Sequence, residues 1–235
     1  MFFYSWLFRP EFWLIVGPMM AFGLFTSWRV KSVFKSFARV GVRTGMTGAQ
    51  AAAAVAQAGG ATGLTIEEHP GFLSDHYDPR ARALRLSPEV YRGRSISSIA
   101  VAAHEAGHAI QHAKDYGPLG MRSKLVPVVT IGSQVWAYCV MAGFFFGGVG
   151  GLLLDIGIIC FFLTALFQLV TLPVEFDASR RAKAVLASTG IVTTSEEAKG
   201  VEKVLGAAAM TYVAGLLTAV AQLIFLLVLR SQSDD

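Results

Sequence analysis

Four stretches of this chain are uncharged and mostly apolar: residues 12–28, 125–154, 156–174 and 204–229. A run of about 18 or more such residues is long enough for a helix to cross a bilayer. Residues 125–174 contain a single charge, Asp155, and have Gly147, Gly148, Gly150 and Gly151 near the middle. That pattern predicts two spans joined by a tight turn. The expected order is a first span within residues 1–30, a hairpin over 125–174, and a last span with a short tail over 204–235. Between them lie two polar segments, 31–124 and 175–203.

The larger polar segment predicts a small α+β domain. Thr47-x-x-Gln50 fits a capping box, in which each side chain satisfies a free backbone N–H of the other residue. The Ala-rich run that follows predicts a helix to Ala58, ended by Gly59-Gly60. Residues 62–68 and 83–86 predict short strands, separated by a turn-rich stretch over 69–79. Ser95, Ser97 or Ser98 is placed to cap a helix that runs to about Lys114.

Composition agrees with a membrane chain: 54% of residues are apolar and only 15% charged, against about 25% charged in ordinary soluble domains. Cys139 and Cys160 both lie in apolar runs, which excludes a disulfide framework and a Cys-rich metal site. A net charge of +4 is too small to argue for nucleic acid. The distribution of charge is more telling. Of 20 Lys and Arg residues, 13 lie in residues 29–124 and 5 in 175–203, leaving only Arg9 and Arg230. Cytoplasmic loops carry the Lys/Arg excess, so both segments are expected in the cytoplasm and both termini outside. The first apolar run is not read as a signal peptide, because the basic cluster follows it and no small-residue cleavage site does.

Within the Ser-capped helix stands His104-Glu105-Ala106-Gly107-His108. Histidines at i and i+4 share one helix face, so two imidazoles can converge on one zinc ion. The intervening Glu105 can then serve as general base. A catalytic zinc needs a third protein ligand and an open position. His112, about 12 Å along the axis from His104 at 1.5 Å per residue, is too far for three rings to meet. His69 and His76 lie in the turn-rich stretch with nothing to fix them. Glu175 is the expected third ligand, since it opens a helix on the same predicted face just after the third span. Two roles stay open for Asp177: a pair with Arg181 at i+4, or acceptor from a ligating imidazole.

The chain resembles the bacterial membrane-bound "putative neutral zinc metallopeptidases" of the YugP type. The matching stretches are Leu73-Ser-Asp-His-Tyr-Asp-Pro79, Leu84-Arg-Leu-Ser-Pro-Glu-Val-Tyr91, residues 98–111 around the HEAGH, and Pro173-Val-Glu-Phe-Asp-Ala-Ser-Arg-Arg181. The resemblance implies a zinc-dependent endopeptidase with one Zn²⁺ per chain, His104 and His108 as ligands and Glu105 as catalytic base. More distantly the arrangement is similar to the prenyl-protease and heat-shock membrane protease lineage, where the Glu of an E-x-x-x-D segment completes the site. Glu175 occupies that Glu position, but the residue four further on is Ser179, and the acid stands at Asp177 instead.

The expected molecule is therefore a mainly α membrane protein. It has four transmembrane helices and a small cytoplasmic gluzincin-like zinc peptidase domain in the bacterial inner membrane. Its expected substrates are peptide segments of membrane or membrane-proximal proteins, with no nucleic acid partner and any accessory membrane protein unidentified. His76, Tyr77 and Arg180 are candidates to stabilise the transition state. Two rival readings remain. One is an intramembrane protease of the site-2 type, with Asp155 of Leu154-Asp155-Ile156-Gly157 as third ligand. The other is a membrane scaffold that binds zinc and cleaves nothing.

Overall fold

The structure, a computed structural model, describes residues 10–232; Arg9, which entered the charge count, lies outside them. The described chain is mostly helical with one small sheet. Its order is α1 (Pro10–Ile15), α2 (Gly17–Phe37), α3 (Gly48–Ala58), β1 (Thr65–Glu68), β2 (His76–Asp78), β3 (Ala83–Leu86), α4 (Pro88–Arg92), α5 (Ile96–Ala113), α6 (Gly117–Phe145), α7 (Gly147–Ser188) and α8 (Ser195–Ser231). The chain divides into two compact units, with residues 27–120 and 173–210 forming the second.

Among the described residues three helices, α6, α7 and α8, are long and apolar enough to cross a membrane. The expected hairpin break occurs at Phe146, between α6 and α7. In the first unit α6 and α7 approach closely through small residues. A Cβ on Gly150 would lie 2.3 Å from the Gly143 carbonyl oxygen, and one on Gly157 would lie 2.7 Å from Val140. Side-chain-free positions let helix backbones pack where lipid offers no hydrophobic drive. Large apolar side chains such as Ile131, Leu152, Ile159 and Leu169 point outward. Asp155 also belongs to this unit, where its carboxylate accepts from Arg230 Nε at 2.7 Å.

The expected first span, residues 12–28, falls in α1 and α2, which are not among the helices that meet that length and apolarity. α2 carries Arg29, Lys31 and Lys35 in its second half. A second difference concerns α7. Pro173 and Glu175 read as the end of a span and the start of a new helix, yet α7 runs unbroken to Ser188 with Pro173 inside it. The proline removes one N–H from the ladder without ending the helix. Likewise α8 begins in the polar segment, with Thr194 and Glu197 exchanging the hydrogen bonds of a capping box, and continues into the last apolar run.

The second unit is built on α5. Thr47 and Gln50 form the expected capping box at α3, and Ser95 accepts from the Ser98 N–H at the start of α5. The Ala-rich face of α3 (Ala51, Ala52, Val55) and the α5 residues Ile99, Ala102, Ala103, Ala106 and Ile110 are buried in one core with Leu84 and Leu86 of β3. β3 is central: it pairs parallel with β1 and antiparallel with β2. Arg85 on β3 bridges Glu67 of β1 and Asp78 of β2. β2 was hidden in the sequence because it is three residues long and lies among turn residues. It exists because Asp78 accepts from the Arg80 and Ala81 N–H groups, turning the chain back onto β3.

Candidate metal centre

The middle of α5 packs against the polar end of α7 at small residues. Gly107, inside the HEAGH, is required there: a Cβ would sit 2.5 Å from the Ala178 carbonyl oxygen. Ala178 and Ala182 are fully buried at the same contact face. Gly107→Ala should therefore destabilise the protein by about 1–3 kcal/mol, as overpacking against backbone does. Denaturation of the detergent-solubilised variant beside the parent measures the effect.

This approach brings His104, His108 and Glu175 together, with their ligand atoms all within 4.8 Å of one another. His104 Nε2 is 3.1 Å and His108 Nε2 3.5 Å from Glu175 Oε2. The two rings stand nearly perpendicular, with centroids 4.8 Å apart. Glu175 is 2% exposed and Glu105 8%. Two imidazole nitrogens and a carboxylate oxygen converging at a largely buried point are a donor set that zinc accepts, and three ligands leave a coordination position open. Among the described residues this is the one such group of His, Cys, Asp and Glu side chains.

The surroundings constrain both rings. His104 Nδ1 meets Ser179 Oγ at 3.1 Å, and His108 Nδ1 meets Gln111 Oε1 at 3.0 Å. Burial lowers the His108 pKa, but the hydrogen-bonded Glu175 carboxylate and the nearby Glu105 carboxylate outweigh it and hold the imidazole above its usual range. Asp75 faces Glu105 electrostatically. Burial raises its carboxyl pKa, although the Ser87 N–H and hydroxyl both donate to it.

The other sequence candidates have partners of their own. Asp177 is buried and bridges Arg180 and Arg181. It accepts from Gln111 Nε2 at 2.9 Å, so it stands one residue removed from the imidazole. It pairs with Arg181 and has no direct hydrogen bond to His108, whose Nδ1 meets Gln111 instead. The Arg180 side chain, 75% exposed, is engaged with Asp177. Tyr77 on β2 shares a 2.7 Å hydrogen bond with His112 Nδ1. His76 Nδ1 lies 2.8 Å from the Ser74 carbonyl oxygen, and its ring packs edge-on against His69. Sequence reasoning passed over Gln111 and Asp75. The signal for Gln111 was its place at i+3 from His108, on the same side of α5. Asp75 stands in the matching stretch Leu73–Pro79, with no spacing that singles it out.

Comparison with known proteins agrees with this geometry. The profile of the family described as "Putative neutral zinc metallopeptidase" matches residues 12–231. The chain is 42% identical over 217 residues to a protein of Bacillus subtilis (strain 168) named "Putative membrane protease YugP", covering 92% of this chain and 95% of that one. No solved structure matches. The chain belongs to the family of putative neutral zinc metallopeptidases.

Proposed function

We propose that this chain is a membrane-embedded zinc metalloendopeptidase that hydrolyses peptide bonds of membrane or membrane-proximal proteins. The observation that carries the reading is the buried convergence of His104, His108 and Glu175, with Glu105 on the same helix turn as the two histidines. His104, His108 and Glu175 would hold one zinc per chain. When bound, zinc supplies Lewis acidity, lowering the pKa of a water towards about 7 and polarising a carbonyl. Glu105 accepts the proton of the attacking water as the new C–O bond forms at the scissile carbonyl. It then delivers that proton to the amide nitrogen as the C–N bond breaks. Burial of Glu105 keeps bulk water from competing for the proton.

Four spans and a cytoplasmic site complete the reading. The apolar part of α2 joins α6, α7 and α8, and the Lys/Arg excess lies in the two segments that form the second unit. On this reading the centre lies at the cytoplasmic face of the bacterial inner membrane. β1 and β2 are the edges of the sheet, and an extended peptide can add to such an edge through backbone hydrogen bonds with loose side-chain preference. Tyr77 on β2, joined to His112 of the ligand helix, Arg180, held by Asp177, and His76 are the candidate transition-state donors.

The rival readings find less support. Asp155, the ligand an intramembrane protease would need, is engaged by Arg230. A structural zinc site normally closes with four protein ligands, whereas three converge here. Comparing the membrane proteomes of cells carrying the parent or the Glu105→Gln variant tests the proposed function. Membrane proteins that accumulate intact only with the variant support it, and identical proteomes count against it.

A further inference from the structure

We infer that Gln111 is a positioning residue that fixes the tautomer and aim of His108, and that Asp177 acts through it. The inference rests on the proposed metal centre. Gln111 is fully buried, so its amide must be satisfied inside the protein. Its Nε2 donates to the Val174 backbone carbonyl at 2.8 Å and to Asp177 Oδ2 at 2.9 Å. Both partners can only accept: one is a carbonyl, and the other is a carboxylate bridged by Arg180 and Arg181.

The amide therefore has one permitted orientation, with its NH₂ towards α7 and Oε1 towards His108 Nδ1, 3.0 Å away. An acceptor at that point requires Nδ1 to carry a hydrogen. In the neutral ring Nε2 is then left with its lone pair, and Nε2 is the atom that faces Glu175. The two arginines, Asp177, Gln111 and His108 thus form a chain in which each link dictates the next. A ligating imidazole is ordinarily held this way by a carboxylate or carbonyl; here an amide stands between carboxylate and ring. Gln111 also ties α5 to α7 at the point where both supply ligands. His104 differs. Its Nδ1 partner is the Ser179 hydroxyl, which can donate or accept and so dictates no tautomer.

The test uses the full-length, detergent-solubilised chain with Gln111→Met, which keeps side-chain length and removes all three hydrogen bonds. Two readouts are taken: the tautomer of His108 by ¹⁵N NMR of the metal-free, histidine-labelled protein at alkaline pH, and affinity for Co²⁺. The parent and Ser179→Ala should show His108 protonated on Nδ1. Gln111→Met should shift it towards the Nε2–H form and weaken Co²⁺ binding about 10–100-fold, the usual cost of losing such a partner, while Ser179→Ala costs less. An unchanged tautomer and Co²⁺ affinity in Gln111→Met would overturn the inference. Should that variant not fold, Gln111→Leu serves instead. It removes the same three hydrogen bonds, so a shifted tautomer supports the inference and an unchanged one overturns it. If the parent binds no Co²⁺, the metal-centre reading fails, and the tautomer still judges Gln111 separately.

Discussion

Glu175→Gln should strip the metal from the purified protein. The amide keeps the volume of the buried carboxylate but presents a neutral and far weaker ligand, leaving two imidazoles to hold the ion. The loss should exceed the 10–100-fold that removal of an outer partner typically costs. Asp155→Ala is the matched control. That carboxylate pairs with Arg230 in the other unit, so its loss should leave metal content unchanged. Elemental analysis of zinc per chain after gel filtration reads both variants. Zinc retained by Glu175→Gln and lost by Asp155→Ala would reverse the ligand assignment in favour of the intramembrane reading.

In Glu105→Gln, peptide cleavage should fall by about 10²–10⁴-fold, the range that general acid–base groups contribute, with one zinc per chain retained. Glu105 lies outside the three converging ligands, so the variant should load normally, but an amide has no basic oxygen to take the proton from water. Turnover of a membrane-anchored reporter, measured beside zinc content, checks both halves. A variant that is inactive because it is empty would instead make Glu105 a ligand.

The features legible in the sequence were those with a local cause. The capping pairs Thr47/Gln50 and Ser95/Ser98, the glycine-marked turn before α7 and the i, i+4 histidines each follow from residues within a few positions of one another. The approach of Glu175 to the histidines could be expected from the order of elements, but its closeness depends on Gly107 and Ala178, which become a pair only in the fold. β2 was missed because three residues give no alternation, and its existence depends on pairing with β3. The continuity of α7 through Pro173 was not legible because a proline reads locally as a boundary, whereas here it costs one ladder hydrogen bond without ending the helix. Gln111 itself looked like an ordinary polar residue near a helix end. Its role depends on Asp177, 66 positions away along the chain.

The central claim is that peptide hydrolysis depends on zinc at this centre. The most direct measurement is cleavage of a membrane-anchored peptide reporter by the purified chain, first as isolated, then after chelation, then after stoichiometric zinc is restored. The account predicts activity with one zinc per chain, loss on chelation, and recovery on zinc addition in the parent but not in Glu105→Gln. Cleavage that persists in the metal-free protein, or a zinc-loaded parent that cleaves no more than Glu105→Gln, would contradict it.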